Sequence, residues 1–178
     1  MKTLLIVDLQ KDFYHPDGAL YVPGAEVIPG RLVQLMPAFD QVVFTLDWHP
    51  AFHSSFKPYG GIWPVHCVQH SAGASLPQEV LEAAGRRPCH FYLKGQDAGR
   101  EEYGAFEQLT PEMRDVLAGS DELLLCGLCG DYCVGETAKN LFQLGLADHL
   151  AVSLACTGSL DGGESLQKRI LKHHIPTR

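Results

Sequence analysis

The sequence predicts a doubly wound α/β fold, a mainly parallel sheet flanked by helices on both faces. Short apolar runs recur at Leu4 to Leu9, Val42 to Leu46, Phe91 to Leu93, Leu123 to Cys126 and Leu150 to Leu154. The stretches between them are long enough to hold a helix, the alternation expected when parallel strands are joined by crossovers. The 178 residues, 46% hydrophobic and 20% charged, suit one compact domain with a substantial core. A single domain over residues 1–178 is therefore expected.

In chain order, the first strand is closed by Asp8, and Lys11 to Pro29 fits neither helix nor strand. Arg31 to Phe39 has a helical pattern, and the second strand is closed by Asp47. Trp48 to Pro77 is rich in Pro, Gly, His and aromatics, and a loop that long in a compact domain is usually functional. A helix over Gln78 to Ala84 leads to the third strand, closed by Lys94. The next helix, Pro111 to Leu117, starts with proline in its first turn and Thr110 as cap. The fourth strand runs into the glycine-rich turn Gly127-Leu128-Cys129-Gly130, followed by Cys133 and a helix over Val134 to Leu144. The fifth strand and a helix over Glu164 to His173 complete the series, and the tail from Lys168 to Arg178 is read as the end of a surface helix. No internal repeat or low-complexity segment is seen.

Charge and cysteine use narrow the function classes. A net charge of −7 and a pI near 5.6 argue against nucleic-acid binding, which needs clustered Lys and Arg. The N-terminal apolar run stops at Asp8, too early for a signal core or a membrane span. The expected setting is cytoplasmic, with no membrane partner. The six cysteines are then read as thiols, with Cys89, Cys126 and Cys156 as small buried residues.

In open parallel sheets, ligands bind outside the carboxyl ends of the strands. Asp8, Asp47 and Lys94 each close a strand, and Cys133 follows one through its turn. One aspartate after a strand is most often a turn or cap residue; recurrence at one sheet edge points to a site. Cys133 is the candidate nucleophile. At the start of a helix its thiol is expected to ionise more readily than a free one, and the same N–H groups can hold an oxyanion. Asp8 can take and return the proton, and Lys94 supplies positive charge. Asp47 and His49, with His66 further on, offer carboxylate and imidazole ligands for a divalent transition metal. Zinc is the first choice, with iron and manganese open.

These segments resemble the nicotinamidase (pyrazinamidase) branch of the isochorismatase-like cysteine hydrolases. The likeness spans nearly the whole chain: Leu5-Ile6-Val7-Asp8-Leu9-Gln10-Lys11-Asp12-Phe13, Asp47-Trp48-His49-Pro50-Ala51-Phe52-His53, Trp63-Pro64-Val65-His66-Cys67, Lys94-Gly95, Tyr103-Gly104-Ala105-Phe106 and Gly127-Leu128-Cys129-Gly130-Asp131-Tyr132-Cys133-Val134. The resemblance implies a triad of Asp8, Lys94 and Cys133 and a metal site of Asp47, His49 and His66. His53 matches a position that is a ligand in some members and not in others. It also implies a cis peptide between Leu128 and Cys129, an oxyanion hole from the backbone of Cys129 and Cys133, and a substrate pocket including Phe13, Trp63 and Tyr103. The activity implied is hydrolysis of nicotinamide, and of pyrazinamide, through a thioester, in pyridine nucleotide salvage. The alternatives are a related hydrolase of another small amide or of isochorismate, and a catalytically silent binding protein on the same fold. Intact Asp8, Lys94 and Cys133 argue against the last. Two departures stand out: Cys129 where many relatives have alanine, and Gln96 to Glu102, which lacks the usual aspartate-serine pattern. The sequence leaves monomer and homo-oligomer both open.

Overall fold

The computed structural model describes residues 1–178. Five strands form one all-parallel sheet: β1 (Lys2–Val7), β2 (Gln41–Asp47), β3 (Cys89–Lys94), β4 (Glu122–Gly127) and β5 (Leu150–Thr157), in the order β3-β2-β1-β4-β5. Six helices accompany them: α1 (Lys11–Tyr14), α2 (Ile28–Leu35), α3 (Gln78–Ala84), α4 (Pro111–Ala118), α5 (Gly135–Gln143) and α6 (Glu164–Lys172).

Alternate strand residues face opposite sides, so one sheet builds two cores. Leu4, Ile6, Val42, Phe44 and Leu124 pack with Leu32 of α2 and Val80 of α3. On the other face, Leu5, Val7, Val43 and Leu125 pack with residues of α4, α5 and α6, among them Met113, Leu141 and Ile170. The chain winds outward from β1 through β2 to β3, then crosses to β4 and β5. The strand order reverses between β1 and β4, placing a ligand crevice at their carboxyl ends. Gly127 is required there: its φ is 113°, and a Cβ would lie 2.1 Å from the Val7 carbonyl oxygen.

Several boundaries differ from the sequence reading. Helix α2 starts at Ile28, three residues before the expected Arg31, because Pro29 fits the first turn. Met36–Ala38 is a 3₁₀ turn containing Pro37 rather than more α-helix. The segment expected to be irregular after Asp8 holds the single turn α1 and a 3₁₀ turn over Ala25–Val27. Cys89 is only half-buried, because β3 is an edge strand with one side unpaired; Cys126 and Cys156 are buried as expected. The tail from Lys168 ends helix α6, at Lys172. After Lys172 it turns back, and Thr177 bridges Val152 of β5 in parallel. No helix is long and apolar enough to cross a membrane.

Candidate active site

The sheet register places Lys94 directly beside Asp47 at the ends of β3 and β2. The Lys94 ammonium is buried, 2.8 Å from Asp8 Oδ2 and in contact with Asp47 Oδ1, with the Glu102 carbonyl at 3.3 Å and Cys133 Sγ at 3.6 Å. Burial alone would lower its pKa, but the Asp47 and Asp8 carboxylates outweigh burial and hold Lys94 well above its ordinary value. It stays charged. Asp8 has a left-handed backbone, φ 46°. Its N–H donates to the Thr45 carbonyl at 3.0 Å, and its Oδ1 accepts from the Thr45 hydroxyl at 2.6 Å. Burial pushes Asp8 up, with Asp47 adding to it; Lys94 pulls the other way without cancelling the rise. Asp47 is buried too, yet Lys94 and His49 hold it well below the usual carboxylate range.

Cys133 lies in a π-helical turn, Gly130–Val134, just ahead of α5, rather than in the first turn of an α-helix. The peptide between Leu128 and Cys129 is cis. The Cys129 N–H donates to no protein acceptor, whereas the neighbouring Gly130 N–H is taken by the Gly158 carbonyl. Cys133 Sγ, an Asp8 oxygen and an Asp47 oxygen all lie within 4.8 Å of one another. The expected easy ionisation of Cys133 is overturned. Burial pushes its thiol well up; Lys94 opposes this, but Asp8 and Asp47 add to the rise. A buried sulfur beside two carboxylates keeps its proton until a base takes it.

His49, His66 and Asp47 offer three ligand atoms within 4.8 Å of one another. His49 Nδ1 faces the Gly95 carbonyl at 3.0 Å, and His66 Nδ1 faces the Pro64 carbonyl at 2.8 Å. Each carbonyl needs an N–H, so each Nε2 is left as the acceptor. These Nε2 atoms lie 3.4 and 3.8 Å from Asp47 Oδ2. Two imidazole nitrogens and a carboxylate converging in a buried spot call for a cation, and backbone carbonyls that fix the tautomers are the usual outer support of a metal site. The donor set fits zinc, iron or manganese. Gly95, φ +66°, makes room: a Cβ there would lie 2.5 Å from the His49 ring.

His53 is not in this group. Its Nδ1 accepts from the Ser55 N–H at 3.2 Å and pairs with Ser55 Oγ at 2.7 Å, while Nε2 faces the Arg100 carbonyl at 3.0 Å. With both ring nitrogens engaged, His53 packs on the His49 ring, centroids 4.2 Å apart. It stands behind the His49 ring, outside the convergent atoms of Asp47, His49 and His66.

Asp47, His66 and Cys133 line a cleft beside these groups. Phe13, Trp63 and Tyr103, singled out in the sequence, all line it. Trp63 Nε1 donates to the Tyr103 hydroxyl at 3.0 Å, and Tyr132 packs edge-on to Trp63 with centroids 5.2 Å apart. The result is an aromatic slot over a polar floor, suited to a flat ring with a polar substituent.

A family model for the Isochorismatase domain matches residues 2–172. The chain belongs to the Isochorismatase family. Within that family it is 32% identical to a nicotinamidase of Saccharomyces cerevisiae over 179 residues, covering 82% of this chain and 83% of that protein. A structure from L. infantum in complex with nicotinate superposes with a TM-score of 0.88 at 28% identity, covering 100% of this chain and 92% of that one. A Pyrococcus horikoshii pyrazinamidase in complex with zinc gives 0.83 at 27% identity, covering 99% and 98%.

Three residues of this Isochorismatase-family site escaped the sequence reading. Gln10 clamps the Asp47 backbone: Nε2 donates to the Asp47 carbonyl at 2.7 Å, and Oε1 accepts from its N–H at 2.8 Å. A polar residue two places after Asp8 was the available signal. Tyr132 and Glu101 line the cleft; both lie in segments the sequence singles out, Gly127 to Val134 and Gln96 to Glu102, but neither has a role of its own there.

Proposed function

We propose that this protein is a metal-dependent amidohydrolase that converts nicotinamide to nicotinate and ammonia through a thioester on Cys133. The observation that carries the reading is the placement of Asp8, Lys94 and Cys133 beside the Asp47, His49 and His66 set, under one aromatic cleft. Relatives named nicotinamidase and a neighbour solved with nicotinate support the substrate.

In this reading Asp8 takes the Cys133 proton, which its raised pKa favours, and Sγ attacks the carboxamide carbon. The carbonyl oxygen becomes an oxyanion received by the N–H groups of Cys129 and Cys133. The C–N bond breaks as Asp8 returns the proton to nitrogen, releasing ammonia. Asp8 then takes a proton from water, whose oxygen attacks the thioester, and Cys133 leaves with a proton as the acid forms. Lys94 stays charged throughout and balances the two aspartates. Phe13 and Trp63 hold the ring. A metal held by Asp47, His49 and His66 would bind the ring nitrogen and orient the substrate, leaving the nucleophile to Cys133. Six free thiols suit a reducing cytoplasm.

The deciding experiment is ammonia release from nicotinamide by purified protein before and after chelation. Release that chelation suppresses and zinc, iron or manganese restores is expected. No release under any metal condition sinks the assignment and moves the search to other small amides. His49→Ala should strip the site. Losing an outer-shell partner alone costs about 10- to 100-fold in metal affinity, so losing a ligand should cost more, read as metal content after dialysis. Unchanged metal content would remove His49 from the ligand set.

A further inference from the structure

Two carboxylates line the cleft, and they are held differently. Asp47 is matched by Lys94, His49 and His66. Glu101 has no lysine, arginine or histidine nitrogen within 4.0 Å. Its one hydrogen bond is local, Oε1 accepting from the Glu102 N–H at 3.2 Å. The adjacent Glu102 is tied down, with Oε2 accepting from the Gly95 N–H at 2.9 Å and Oε1 from the Tyr92 hydroxyl at 3.4 Å. Glu102 thus anchors the loop that carries Lys94 to Tyr103, while Glu101 leaves an unpaired acid in an otherwise aromatic wall. Burial and Asp47 push the Glu101 carboxyl up while His49 and Lys94 oppose the rise, and no ion pair fixes it in place, so its charge is left to act on what enters the cleft.

We propose that Glu101 is a specificity-determining residue: its negative charge admits a neutral amide and disfavours the anionic acid that hydrolysis leaves in the same cleft. The inference rests on the amidase reading above. Substrate and product share the ring and differ in one group, so aromatic packing cannot tell them apart. Charge can. A like charge several ångströms away in a partly screened cleft changes anion affinity by roughly three- to tenfold and leaves a neutral ligand nearly untouched. The same repulsion disfavours other small anionic substrates.

The test compares the KM for nicotinamide with the competitive inhibition constant of nicotinate in metal-loaded wild-type protein, Glu101→Gln and Glu101→Asp. Glu101→Gln keeps the shape and the acceptor while losing the charge. The ratio of its nicotinate constant to its KM should fall three- to tenfold; Glu101→Asp should keep the wild-type ratio. An unchanged nicotinate constant, parallel movement of both constants, or metal loss in Glu101→Gln would each overturn the inference. Wild-type protein that fails to hydrolyse nicotinamide overturns the amidase reading itself and this inference with it; wild-type turnover with no change in Glu101→Gln overturns only the role of Glu101.

Discussion

Cys133→Ala should lower turnover of nicotinamide by at least about 10⁴-fold, the scale seen when a nucleophile that works as a unit with its base is removed. The remaining groups can bind and polarise the amide, but none can form the thioester. Cys133 Sγ is buried, 3.6 Å from the Lys94 ammonium and within 4.8 Å of an Asp8 oxygen, and a water activated by Asp8 in its place is a much weaker nucleophile toward an amide than a thiolate. The fold should tolerate the change. Removing one buried sulfur costs about 1 kcal/mol, at the low end of large-to-small core substitutions, and the metal set of Asp47, His49 and His66 is untouched. Retained turnover in a folded, metal-loaded variant removes Cys133 as nucleophile.

Lys94→Met should damage fold and activity together. It leaves Asp8 and Asp47 buried side by side without their shared cation, and breaking a buried ion pair from one side costs about 3–5 kcal/mol. The loss should depend on pH. In the wild type, Lys94 helps hold Asp47 below its ordinary pKa, so the stability Asp47 contributes is present above about pH 4 and is lost on acidification. In the variant the two carboxylates repel, their folded pKa values rise above the unfolded ones, and stability falls as pH rises through them. Both effects have the same sign. The gap between wild type and variant, measured by urea unfolding of chelated protein, should be widest at neutral pH and narrow toward pH 4. A gap independent of pH would mean that Lys94 contributes packing rather than charge.

Much of this architecture is written locally. Alternating apolar runs and helical stretches sufficed for a parallel α/β sheet, because a strand buried on both faces must be apolar along its length. Gln78–Ala84 and Pro111–Ala118 form where their local patterns place them, the second capped by the Thr110 hydroxyl, a signal that acts over a few positions. The ends of α2 and the tail were less legible: Pro29 reads equally as loop or first turn, and the Thr177 bridge to Val152 depends on a strand 25 residues earlier.

The sequence by itself determined which groups stand at the carboxyl edge of the sheet. Strand ends are set by where apolar runs stop, and Asp8, Asp47 and Lys94 stand at those stops. Only the tertiary structure decided how those groups behave. Burial and the two neighbouring aspartates push the Cys133 thiol well up, where its place in the sequence suggested easier ionisation. Ser55 and the Arg100 carbonyl engage both ring nitrogens of His53, apart from the cluster of Asp47, His49 and His66. Glu101 entered the cleft without a cation while Glu102 was fastened to Gly95 and Tyr92. Residue identity fixes what a side chain can donate, accept or ionise. Its charge state and partners come from desolvation and from neighbours brought close by segments far away in the chain.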